Sequence, residues 1–173
     1  MANLPVPIPR TFGVSETEVA AYFNAFRDAL NFLLNPPEAR VYGNAVQAIA
    51  NNTNTALACD TTVFDTYTMH SNVTNNTRVT AQVAGTYLCI GCYGSAPNAA
   101  GGRDIQFAVN GVAQGEPQGN WDVNQANFHI IQVVSLIVLN AGDYVEVWGL
   151  QNSGGALNTI AARSSLHALW QHA

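Results

Sequence analysis

Two hydrophobic rhythms divide the chain. From residue 16 to 34, apolar side chains recur at Val19, Phe23, Phe26, Leu30 and Leu33, at intervals of four, three, four and three. That is the spacing of one helix face, and it matches an a/d heptad seam over about two heptads. Tyr22 and Ala29 widen the stripe. Ser15-Glu16-Thr17-Glu18 reads as a capping box, serine first and glutamate three later. Asn35-Pro36-Pro37 ends the pattern, because proline offers no amide hydrogen and clashes with the preceding turn. An isolated helix of this length is marginal in water, so its stripe must be buried. It could pack on its own domain, on copies of itself, or on a larger assembly. Its terminal position and the Pro-Pro break favour the last two.

Beyond residue 37 the rhythm shortens to the alternation of strands. Candidate strands are 39–47, 55–59, 78–83, 86–93, 105–110, 128–139, 144–151 and 165–171. The stretch 130–150 is the clearest, with two β-branched, apolar runs joined by Asn140-Ala141-Gly142-Asp143. Asn110-Gly111 is a second hairpin signal, since a type I′ turn needs positive φ at both central residues. Segments 95–102 and 115–124 read as loops. The expected fold is mainly β: an antiparallel jelly-roll sandwich over 38–173, preceded by a proline-rich arm and one α-helix over 1–37.

Composition narrows the function. The 173 residues are 48% hydrophobic but only 10% charged, a surface more suited to an oligomer than to a monomer. All six basic residues are arginine and the net charge is −5, which argues against nucleic acid as a partner. No apolar run reaches the ~18 residues of a membrane span. The N-terminus lacks the apolar run of a signal peptide, so the expectation is synthesis in a cytoplasm. The Asn-x-Thr matches at Asn51, Asn72 and Asn75 then carry no expectation of glycosylation.

Candidate chemistry is sparse. Three cysteines leave no complete disulfide framework. Cys89 and Cys92 form C-x-x-C, but within a strand residues three apart face opposite sides, so buried free thiols are expected. No nucleophile elbow, zinc helix or P-loop is present. Asp60, Asp65 and His70 cluster in one segment and read as turn residues rather than a hydrolytic pair. His129 and His167 could meet on a symmetry axis, though ordinary interface histidines are the simpler account. Asp104, Asp122 and Asp143 lack calcium-loop spacing. The expectation is therefore no catalytic residue, no cofactor and no metal. Aromatic side chains near polar loops, Tyr93 and Trp121, are candidate ligand contacts suited to stacking on a sugar.

Three motifs in order carry a family resemblance. Ala84-Gly85-Thr86-Tyr87-Leu88 matches a central G-x-Y-h strand start, and Leu139-Asn140-Ala141-Gly142-Asp143-Tyr144-Val145 an L-x-x-G-D-x-V turn. Ser164–Leu169 matches a closing strand. Over residues 39–171 the chain resembles the trimeric jelly rolls of the complement globular head and tumour necrosis factor. LPVPIPRTF and the helix that follows resemble the start of bacteriophage virion proteins, of minor tail, fibre or capsid-decorating type. The resemblance implies a non-enzymatic homotrimer in a virion, with other virion proteins as partners. Val19, Phe23, Phe26, Leu30 and Leu33 would assemble or anchor it. The alternative is a tail-fibre module binding a host-surface glycan or protein. No collagen-like stalk is present, and the family's calcium ligands cannot be placed on this sequence.

Overall fold

The computed structural model describes residues 16–122 and 127–173, with side chains placed for 18–115 and 127–173. The arm and Ser15 of the expected capping box lie outside these residues. Helix α1 spans Glu16–Leu34. Among the described residues twelve strands follow: β1 Glu38–Gly43, β2 Ala48–Ile49, β3 Thr55–Ala56, β4 Thr61–Asp65, β5 Arg78–Thr80, β6 Gly85–Ser95, β7 Gly102–Val109, β8 Val112–Asp122, β9 His129–Leu139, β10 Tyr144–Gln151, β11 Leu157–Asn158 and β12 Ser164–His172.

The strands form two facing antiparallel sheets. One has the order β4-β1-β12-β6-β9; the other runs β3-β10-β7-β8, with β5 also paired to β10. A short β11-β2 pair completes the set. Sequence neighbours β6 and β7 lie in different sheets, as do β9 and β10, which is the jelly-roll signature. Residues of both sheets alternate into one core, including Tyr87, Cys89, Phe107, Val133, Val147 and Leu166. The expected fold class is the observed one.

The turns explain the register. Asn110 and Gly111 have φ of 52° and 76°, the type I′ values their identities suggest. The Asn110 side chain accepts from the Tyr144 amide at 3.0 Å and donates to Asp143 at 2.8 Å, tying this hairpin to the β9–β10 turn. Gly85 sits where a Cβ would lie 2.2 Å from Trp170 Nε1 and 2.6 Å from the His172 carbonyl. The glycine of the G-x-Y motif is thus required by the indole packed over it.

Two sequence expectations fail here. The segment 115–124 is not a loop: β8 continues to Asp122, pairing with β7 from Val112↔Val109 to Asp122↔Gly102. Glycine, proline and polar residues hid a strand that forms only because β7 offers a free edge. The first strand stops at Gly43 rather than residue 47, because the Asp60 carboxylate captures the amides of Asn44 and Ala45, at 2.7 and 2.9 Å.

Helix α1 meets the sandwich at its last turn. Phe32 packs edge-on against Trp170, ring centroids 4.7 Å apart, and against Tyr67 at 6.2 Å. The Pro36-Pro37 junction is stitched down by Thr66, whose hydroxyl donates to the Pro36 carbonyl at 2.8 Å and accepts from the Glu38 amide at 2.9 Å.

Candidate functional site

The helix stripe faces solvent. Phe23, Phe26, Leu30 and Leu33 are 69, 50, 43 and 65% exposed, while Val19 is half-buried. The residue that docks the helix is Phe32, outside the a/d series; its signal was aromatic identity beside the Pro-Pro break, not periodicity.

A second apolar surface lies on the outer face of the β4-β1-β12-β6-β9 sheet. Strand β9 alternates strictly, placing Ile131, Val133, Ile137 and Leu139 in the core. Its opposite face shows Ile130, Val134, Leu136 and Val138 to solvent, the last three 54–76% exposed. Register continues the surface inward. Leu136 pairs with Leu88, Leu88 with Leu169, and Leu169 with Glu38 at the start of β1, four residues after α1 ends. The apolar row therefore runs as far as Leu169, beside the first residue of β1. Contiguous exposed apolar surface of this kind marks an interface.

The remaining candidates separate. Tyr93 is not a ligand contact: it lies on the core face of β6 and is fully buried. Alternation placed it inward, beneath the Gly/Ala-rich loop rather than in it. Burial pushes its phenol up to about 12, against the lowering influence of nearby Arg103. Trp121 belongs to β8, opposite Arg103; its side chain lies outside the described residues. Within one chain His129 and His167 lie on opposite faces, His129 with the core face of β9 and His167 on the outer face of β12. His167 Nε2 is 2.7 Å from a Glu38 carboxylate oxygen, with Phe64 edge-on to its ring.

The polar side chains of the Asp60–His70 segment are occupied with backbone groups. Asp65 accepts from the amides of Tyr67, Met69 and His70 at 3.2, 2.9 and 2.9 Å. The His70 ring spans the carbonyls of Arg78 and Cys59, at 2.6 and 2.9 Å. The cysteines follow the strand geometry: Cys89 is buried and Cys92 faces the other side. Burial raises the thiols of Cys59 and Cys89 to about 12, which keeps them protonated and unreactive. Among the described residues no group of three metal-ligating side chains exists, and no helix is long and apolar enough to cross a membrane.

This architecture has clear structural counterparts. The chain is similar to the globular domain of the zebrafish complement 1qA protein, with a TM-score of 0.56, 11% identity, and 79% of this chain and 98% of that one covered. It is similar to Eiger TNF from S. frugiperda, at 0.56, 11%, 78% and 93%. Murine APRIL gives 0.58, 10%, 78% and 98%. No protein-family model and no curated protein matches the chain. These likenesses define the fold class, a complement-head and tumour-necrosis-factor-like jelly roll.

Proposed function

We propose that this chain is a non-enzymatic structural protein of a bacteriophage virion, working as a homotrimeric jelly-roll head held to the particle by its N-terminal arm and helix. The observation that carries the reading is the pair of exposed apolar surfaces, the α1 stripe and the outer face of β9, on the two sides of one sheet whose strand β1 follows the helix. Copies of this chain are the occupant that fits both. The heptad spacing of Phe23, Phe26, Leu30 and Leu33 suits a parallel seam. Packing the sheet faces around an axis would bring the helix feet together. The segment 1–37 is then the assembly and anchoring unit, and 38–173 the head. Residues 1–15 are the part of the chain left to reach other virion proteins.

The non-enzymatic reading rests on how the polar groups are used. Asp60 accepts from the amides of Asn44 and Ala45, Asp65 from those of Tyr67, Met69 and His70, and the His70 ring meets the carbonyls of Arg78 and Cys59. The test is a double substitution, Phe23→Ser with Leu30→Ser. It should abolish assembly while leaving the unfolding of the β domain unchanged; wild-type assembly in this variant would refute the role of the stripe.

A second reading, host-surface binding to a glycan or protein, is favoured by one feature. Trp121 lies on β8, the outermost strand of its sheet. Trp121→Ala should then reduce binding to host cells without changing the oligomer, and unchanged binding would remove this residue from the account.

A further inference from the structure

The outer sheet face has two ends of opposite character. The end beside the helix is apolar. The other end holds a groove of about 440 Å³, whose polar lining is Arg40, Arg163, His167, Ser165, Gln132 and Cys92, with Ile90 and Ile130 in its apolar wall. Pairing fixes these side chains on adjoining strands: Arg40 opposite His167, Ser165 opposite Cys92, and Cys92 opposite Gln132.

The charges in this groove are unlike those elsewhere in the chain. Five arginines lie among the described residues. Arg27 is bonded to Asp28 at 2.9 Å. Arg78 lies 3.7 Å from Glu146 and stacks over Tyr144 at 4.0 Å. Arg103 is buried, donating to Ser95 and to the carbonyls of Asn98, Ala100 and Gly102. Arg40, Arg103 and Arg163 have no carboxylate within 4.0 Å among the described residues; Arg103 is engaged by Ser95 and backbone carbonyls, while Arg40 and Arg163 both line this groove. Glu38 is already engaged by His167. In a chain of net charge −5, the exposed positive charge without a carboxylate partner among the described residues is gathered at one place.

The backbone holds Arg163 there. It follows Ala162, whose φ is 58°, in a turn closed by the Arg163 amide donating to Ile160 at 3.1 Å. Ala162 donates to the Gly43 carbonyl at 2.8 Å, and Gly94 lies against Arg163 so closely that a Cβ there would come within 2.4 Å of the arginine Cβ. Two arginines and a serine lining one groove bring the residue types that take an oxyanion by paired N–H···O and O–H···O bonds.

We propose that this groove binds an oxyanion, a phosphate or a carboxylate, with Arg40 and Arg163 as its principal ligands and Ser165 and Gln132 as neutral partners. All of its lining comes from one chain, and at Ile130 and Gln132 it borders the β9 face used in the assembly proposed above, so the oligomer must be read beside any binding. The anion can be a free inorganic ion or the acid group of a sugar.

Calorimetric titration of the full chain with inorganic phosphate, and separately with glucuronate, distinguishes these sources. Saturable binding of phosphate alone marks a free-ion site, and tighter binding of glucuronate marks an acidic sugar. Arg40→Gln and Arg163→Gln should each weaken binding by about tenfold or more, the scale of one lost charge-assisted bond. Arg27→Gln should leave it unchanged. Light scattering on the same samples reads the oligomer separately: binding must fall in variants that keep the wild-type mass. No saturable heat with either probe, equal binding in both groove variants, or loss of binding only together with loss of the oligomer would overturn the proposal.

Discussion

At the scale of single residues, two tyrosines on the same face of β6 have different roles. Tyr87 donates its hydroxyl to the Val83 carbonyl at 2.7 Å, whereas the buried Tyr93 hydroxyl has no hydrogen-bond partner among the described residues. Tyr87→Phe should cost about 1 kcal/mol, the net worth of one hydrogen bond. Tyr93→Phe should cost less than ~0.5 kcal/mol or stabilise, because an unpaired buried hydroxyl is removed; urea unfolding of both variants checks the contrast. Acid sensitivity is also a residue matter. Hydrogen bonding from the Asn44 amide, then the Ala45 amide, holds the Asp60 carboxyl below its ordinary value. The Asn110 side chain, then the Asn140 amide, does the same for Asp143. A carboxyl depressed in the folded state contributes stability that is present above its unfolded value and lost as pH falls through the folded one. Stability should therefore drop below about pH 4, and Asp60→Asn or Asp143→Asn should flatten that acid limb in pH-resolved unfolding.

At the scale of elements, the helix docks on the sandwich through the Phe32 ring, next to the junction that Thr66 holds. Phe32→Ala removes the contacts with Trp170 and Tyr67 and should cost about 1–2 kcal/mol for a half-buried ring, measured by thermal unfolding. Phe26→Ala, on the exposed stripe, should leave the unfolding of the monomeric domain unaltered. The long alternating strands, the helix bounds and the Asn110-Gly111 turn were all legible, because each follows from local periodicity or from a residue's own φ preference. Strand β8 was not, since its 112–122 segment is strand only by pairing with β7. The short pairs β2–β11 and β4–β1 depend likewise on partners far along the chain. Of the candidate site, the helix stripe was legible through its spacing. The outer face of β9 was hidden because its exposed Val and Leu read as core in a sequence where both faces are apolar. Tyr93 misled because an aromatic beside a loop can point either way, and only the register decides.

At the scale of the whole molecule, the two sheets bury one core and leave one end of one outer face apolar, on a sheet whose strand β1 follows a helix whose stripe is also exposed. A monomer would keep Phe23, Phe26, Leu30, Leu33, Val134, Leu136 and Val138 in water, and hydrophobic burial between copies relieves this at roughly 25 cal/mol per Å². Introducing a charge on this face, as in Leu136→Glu, should dissociate the assembly and leave the β sandwich folded, with circular dichroism and sedimentation read together. The proposed trimer is tested most directly by the mass of the purified full chain at micromolar concentration, by size exclusion with light scattering. The account predicts the mass of three 18.4 kDa chains. A stable species with the mass of one chain would contradict it.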